Sequence, residues 1–374
     1  MQKLVNNNQL IGAIISLLAC YLLFPSFFEV SLYPIAKENQ MWASLDPSWA
    51  STLNYVNINE LVWGKDFAFT FGPLSYLVTR VGWGNHAINF LLFDLFCSLN
   101  FFFLFYITYI NSKYKFFSAL FIFCIALILP HFMGGLSAFV LLAFLLFWIK
   151  KSLTTESHLP YIFQTILLAL LFYIKFNTGL ISFVLFYSAI LFRVVFYRNK
   201  MLFLTFYSFL PLIIIFISSF FLKVNLMGYI QTAYYLVSGY NEIMFLKNSF
   251  DTVYYFVLLS VIIIVGLSFY YIYKEGKPSL KNNLLVLLLF LIPSFVLYKQ
   301  CFVRADESHI REFFFVFPLI IFSSTNILEK LNNRISVFLM FLVLGISVYF
   351  VNELNPSAFS SIDKIDKSEY LSGL

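Results

Sequence analysis

Charge is what this 374-residue sequence has least of: only 11% of its residues are Asp, Glu, Lys or Arg, against 61% hydrophobic. A soluble domain would have too few polar groups to cover its apolar surface, so a soluble globular class is excluded and the bilayer is the expected solvent. Cysteine is also scarce. Cys20, Cys97, Cys124 and Cys301 show no metal-ligand spacing, the first three lie in apolar runs, and no disulfide framework follows. The net charge of +6 forms no basic patch with interleaved polar surface, which excludes nucleic acid as a partner. Internal repeats, Gly/Ser linkers and low-complexity blocks are missing too, so the chain reads as one transmembrane domain over 1–351 with a short polar tail over 352–374. The apolar runs lack the alternation of a membrane barrel, and their backbone polar groups must be satisfied within helices.

What is present is a series of apolar runs near the length that crosses about 30 Å of hydrocarbon. They predict an all-α polytopic bundle of about eleven spans, near 10–28, 87–110, 116–132, 133–149, 160–174, 177–193, 202–222, 252–273, 283–298, 313–328 and 335–351. The short pieces on either side of Lys175 read either as two tilted helices or as one broken element. Leu17-Leu18-Ala19-Cys20 resembles a lipoprotein cleavage box, but Tyr21-Leu22-Leu23-Phe24 continues the apolar run, and an uncleaved first span is expected. With the N-terminus in the cytoplasm, thirteen basic and three acidic residues fall inside, against eleven basic and fourteen acidic outside. This bias obeys the positive-inside rule and puts the C-terminus outside. The cytoplasmic connections are short, whereas the segments 29–86, 223–251 and 299–312 face outward and are the places to look for a site.

The first outer loop carries LDPSWASTLNYVNINELVWGKDFAFTFGPLSYLV. Asp46 before Pro47, followed by Trp49, Leu53 and Val56, is the start of an amphipathic helix on the membrane surface, with Asp46 as its cap. The same carboxylate can also face a cavity and accept a proton from a sugar hydroxyl. Further on, Asp66 in Gly64-Lys65-Asp66 reads first as a turn aspartate and second as another catalytic or metal-binding acid. Arg80 and His86 close the loop as interfacial anchors. With 50 Phe and 24 Tyr in the chain, no single aromatic is assigned a role.

This arrangement resembles the GT-C superfamily of membrane glycosyltransferases, and GKDFAFTFGPLSYL and FVRADESHIREFF resemble segments of uncharacterised bacterial membrane proteins of that kind. The resemblance implies a cytoplasmic N-terminus, a long first outer loop with a juxtamembrane helix, and a bacterial cytoplasmic-membrane location. It also implies a polyprenyl-linked sugar as donor, a glycan, lipid or protein as acceptor, and Asp46 as the catalytic acid. Asp46 is followed by proline where the family often has a second acidic residue, and no large C-terminal soluble domain is expected from the short polar tail.

Around that reading stand the other candidates. Asp94 lies within a span, where a carboxylate needs a partner, a proton or a polar cavity; Lys175 is the candidate partner, and a structural ion pair is as good an account as a substrate role. Lys175 itself either snorkels at a span end or meets a phosphate. His131 sits at a short outer turn and reads as packing or ligand. In FVRADESHIREFF, Arg304 suits a phosphate leaving group, because its planar fork stays charged, and His309 can assist. Asp306, Glu307 and His309 could also hold a divalent cation. Glu307 with Arg311 reads equally as a helix-supporting pair. Tyr235, Tyr240, Asn241 and Glu242 in the remaining outer loop can stack on sugar rings or bond hydroxyls, interfacial tyrosine anchoring being the alternative. Two other functions fit the composition: an O-antigen-type polysaccharide polymerase, and a non-enzymatic lipid or sugar transporter or flippase.

Overall fold

A computed structural model describes residues 2–23, 45–129, 137–155, 157–197, 201–243, 251–275, 277–303, 307–324 and 334–354. Among the described residues the protein is all-helical, with fourteen helices and no strand beyond isolated bridges. Each of the eleven predicted runs overlaps a helix among the described residues. Three of these, Ala87–Asn111, Phe176–Val195 and Leu202–Phe221, are long and apolar enough to cross a membrane. The chain divides into two compact units.

One unit comprises Met1–Phe27, Phe96–Met133 and Phe245–Asp366. It holds α1 (Gln2–Leu23), most of α4 (Ala87–Asn111), α5 (Lys115–Ile128), α11 (Asp251–Glu275), α12 (Lys277–Val303), α13 (Glu307–Ser324) and α14 (Arg334–Leu354). Helices α11 to α14 pack in sequence, and α5 packs against α1, α13 and α14. Phenylalanine rings meet between these helices: Phe121 stacks on Phe322 at 5.5 Å and Phe314 on Phe350 at 4.7 Å. Serines within these helices return their hydroxyls to the preceding turn, as Ser294 does to the Phe290 carbonyl and Ser324 to that of Ile320. Lys115 caps the end of α4 by donating to the carbonyls of Tyr109 and Ile110.

The other unit comprises Phe28–Leu95, Gly134–Met244 and Lys367–Leu374. It contains α2 (Leu45–Ile58), the single turn α3 (Tyr76–Thr79), the start of α4, α6 (Ala138–Thr154), α7 (Leu159–Ile174), α8 (Phe176–Tyr197), α9 (Met201–Phe221) and α10 (Leu226–Ile243). Ser137 caps α6 by accepting from the Phe139 amide. From Ala138 to Lys150 every residue of α6 is buried, as a helix apolar on all sides requires, and it packs on α7 and α8.

The ambiguity around Lys175 is resolved as two antiparallel helices. Lys175 alone separates α7 from α8, in extended conformation (φ −151°, ψ 112°). Near the far end of the pair Arg193 of α8 donates to the Tyr161 hydroxyl of α7. Near the tip Gly179 lies so close that a Cβ there would stand 2.7 Å from the Phe172 Cα, so the absence of a side chain is what lets the helices close.

Candidate functional site

A turn this abrupt leaves the last carbonyls of α7 and the first amides of α8 without helical partners. The loop segment 70–74 supplies them. The Gly72 and Leu74 amides donate to the carbonyls of Ile174 and Tyr173 at 3.1 and 3.0 Å, and the Phe176 amide donates to Thr70 at 2.9 Å. Phe71 and Lys175 thereby form an antiparallel bridge. The Gly72-Pro73 segment is thus a lid of backbone hydrogen bonds on the hairpin tip.

An extended segment alternates its side chains between two faces, and FAFTF puts Phe67, Phe69 and Phe71 on one of them. Their half-buried rings run together with Trp49 of α2: Phe71 stacks on Trp49 at 4.8 Å, Phe69 on Trp49 at 5.9 Å, and Phe67 tilts against Phe69 at 6.4 Å. The Lys175 ammonium stands 4.7 Å from the centre of the Phe71 ring, a distance that stabilises a cation through the ring quadrupole. Asp46 occupies the first described turn of α2, three residues and so one turn before Trp49; its side chain lies outside the described residues.

Side-chain amides fasten this shelf. Asn57 of α2 donates to the Pro73 carbonyl at 3.0 Å and accepts from the Trp63 indole at 3.0 Å. Asn54, on the same helix, donates to Val81 and Trp83 carbonyls. The Trp63 backbone bridges to Val224, joining the loop to the α9–α10 connection. Tyr229 of α10 donates its buried hydroxyl to the Phe172 carbonyl at 3.2 Å. Its burial, with the nearby Tyr173 phenol adding to it, pushes the Tyr229 phenol upward, so it stays a neutral donor.

Asp94 finds its partner in Arg80, not in the Lys175 that its depth suggested. Arg80 donates from both terminal nitrogens to the two carboxylate oxygens at 2.9 and 2.8 Å, and both side chains are almost fully buried. The guanidinium also donates to the Leu77 carbonyl and lies 5.1 Å from the Phe90 ring centre. Arg80, expected as an interfacial anchor, is therefore an internal lock. Its left-handed backbone (φ 60°, ψ 27°) is a conformation a non-glycine residue holds only when its surroundings repay the strain.

The other candidates divide as follows. Asp66 is exposed and its carboxylate accepts from the Val62 amide at 3.0 Å, the arrangement of a turn aspartate. His309 is half-buried in the first turn of α13. Glu307 opens that helix, and Tyr240 and Glu242 lie in the last turn of α10, with all three side chains outside the described residues. Arg304, Asp306 and His131 lie outside the described residues altogether. No group of three metal-ligating side chains occurs among the described residues, and two members of the suggested cation set fall outside them. Residue-level reading gave no role to Phe69 and Phe71, placed Trp49 only on an amphipathic helix, and took Arg80 for an anchor; the period-two alternation before Gly72-Pro73 was the signal for the phenylalanines.

Comparison with protein-family models, curated proteins and solved structures gives no match to this chain.

Proposed function

We propose that the chain is a membrane glycosyltransferase that moves a sugar from a polyprenyl-phosphate-type carrier to a glycan, lipid or protein acceptor on the extracytoplasmic side of a bacterial cytoplasmic membrane. The observation that carries this reading is the fixed tip: a cation, Lys175, held against Phe71, whose ring stacks on Trp49 one helical turn along α2 from Asp46. In the reaction the acceptor hydroxyl oxygen attacks the anomeric carbon while the bond from that carbon to the carrier phosphate breaks. The hydroxyl proton passes to the Asp46 carboxylate, and the phosphate departs with the bonding electron pair. Lys175, a compact point charge, stabilises the charge the phosphate gains. The backbone bonds that tie 70–74 to the tip suit a site that stays in place through turnover better than the rocking halves of a transporter.

Purified protein in proteoliposomes, given synthetic polyprenyl phosphate- and diphosphate-linked sugars, is expected to release free carrier and glycosylated acceptor. Asp46→Asn is expected to lower turnover by roughly 10²–10⁴-fold at unchanged folding, the worth of a general base. Wild-type turnover in that variant would reduce Asp46 to a helix cap.

A further inference from the structure

Helix α10 presents two unlike faces. Leu226, Tyr229, Ala233 and Val237, at helical spacing, pack into the core shared by Trp63, Phe172 and Phe176. The opposite stripe, Met227, Ile230, Tyr234 and Tyr235, is exposed to between 43% and 78%. Gln231 and Ser238 complete it, so the stripe carries no charge over three turns. A helix face meeting bulk water would ordinarily bear Lys or Glu, whereas uncharged apolar side chains with a tyrosine pair suit the boundary between headgroups and acyl chains. The neighbouring element supports this. The membrane-length helix α9 exposes Phe216, Ile217, Phe220 and Phe221, and only Leu222 to Asn225 separate it from α10 along the chain.

We infer that α10 is an interfacial helix whose outer stripe beds into the headgroup boundary of the bilayer and sets the depth of the Lys175 tip at the level of lipid phosphates. The coupling is short and stiff. Tyr229 holds the Phe172 carbonyl one turn from Lys175. The backbones of Gly64 and Gly228 lie so close that a Cβ on Gly228 would stand 2.0 Å from the Gly64 carbonyl oxygen, so α10 packs directly on the loop that carries the aromatic shelf. The inference uses the membrane reading and is independent of sugar transfer.

Nitroxide labels on Met227→Cys, Tyr234→Cys and Tyr235→Cys, in the full chain with its native cysteines replaced by serine or alanine, test it in phosphatidylcholine vesicles. The expected result is high collision with oxygen and low collision with a water-soluble nickel chelate, the reverse of a label on Glu60→Cys. Adding phosphatidylglycerol is expected to leave the ratio unchanged, because the stripe is uncharged. Nickel access at 234 and 235 equal to that at 60 would overturn the inference, and so would exclusion of both reagents, which means a protein, such as a second copy, covers the face.

Discussion

The bundle around α5, α13 and α14 and the shelf around Lys175 are joined by different forces. In the bundle, ring meets ring between helices, Phe105 on Phe322, Phe121 on Phe341, Phe256 on Phe350, among buried aliphatic side chains, while its serines bond within their own helices. In the shelf, hydrogen bonds run between distant segments: Asn57 to Pro73, Gly72 to Ile174, Tyr229 to Phe172 and Tyr173 to Ile215. Close packing tolerates exchange of one apolar shape for another, and it is the force left between helices when lipid tails are as apolar as the side chains. Directional bonds between irregular segments admit one arrangement. The proposed function asks this region to keep a cation, an aromatic face and a carboxylate in register, a task the second kind of construction suits.

The contrast is most exposed at Arg80 and Asp94. Asp94→Asn leaves a buried guanidinium without its counter-charge and is expected to cost about 3–5 kcal/mol, read from unfolding in mild detergent. Replacing both residues, Arg80→Met with Asp94→Leu, should restore most of that; a double variant as unstable as the single one would mean the pair does more than neutralise itself. Next comes Gly72→Ala, whose new methyl would stand 2.5 Å from the Tyr173 carbonyl and the Tyr229 hydroxyl. The expected loss is about 1–3 kcal/mol, against less than about 1.5 kcal/mol for Phe121→Leu in the bundle. Equal losses would erase the distinction between the two regions. Trp63→Phe keeps an aromatic ring but strips the donor from Asn57 and leaves part of the buried indole's volume empty, and about 1–2 kcal/mol should go with it.

The smallest effect is on the shelf's exposed rim. Lys223 bonds Glu60 at 2.7 Å, and that hydrogen bond and charge hold the Glu60 carboxyl below its ordinary range. A depressed carboxylate contributes stability above its unfolded value and loses it as pH falls through the folded one. The unfolding midpoint of wild type should therefore exceed that of Glu60→Gln slightly at neutral pH, converge with it in acid, and converge also in high salt, because the pair is exposed. A gap that persists in acid would assign the difference to something other than the ion pair.

Much of the helical layout was legible because a 20-residue apolar run admits few solutions in a bilayer. The two short pieces at Lys175 were legible as pieces, but their antiparallel closure depends on Gly179 meeting Phe172, a tertiary contact with no periodic signature. Arg80 was misjudged because its position at a loop end suggests the interface, whereas the left-handed turn after α3 folds it back onto Asp94. Helix α10 was read as loop: its spacing of Leu226, Tyr229, Ala233 and Val237 is helical, yet its uncharged outer face weakens the polar half of the pattern. Trp49 and the phenylalanines of the shelf were hidden by abundance, since aromatics make up 21% of the chain.

The claim that the tip is a phosphate site is tested most directly by the affinity of the purified protein for polyprenyl phosphate, measured by native mass spectrometry from mixed micelles. Lys175→Gln is expected to weaken binding about tenfold or more while polyprenol, which lacks the phosphate, binds both proteins alike. Equal affinity of wild type and Lys175→Gln for the phosphate form would contradict it.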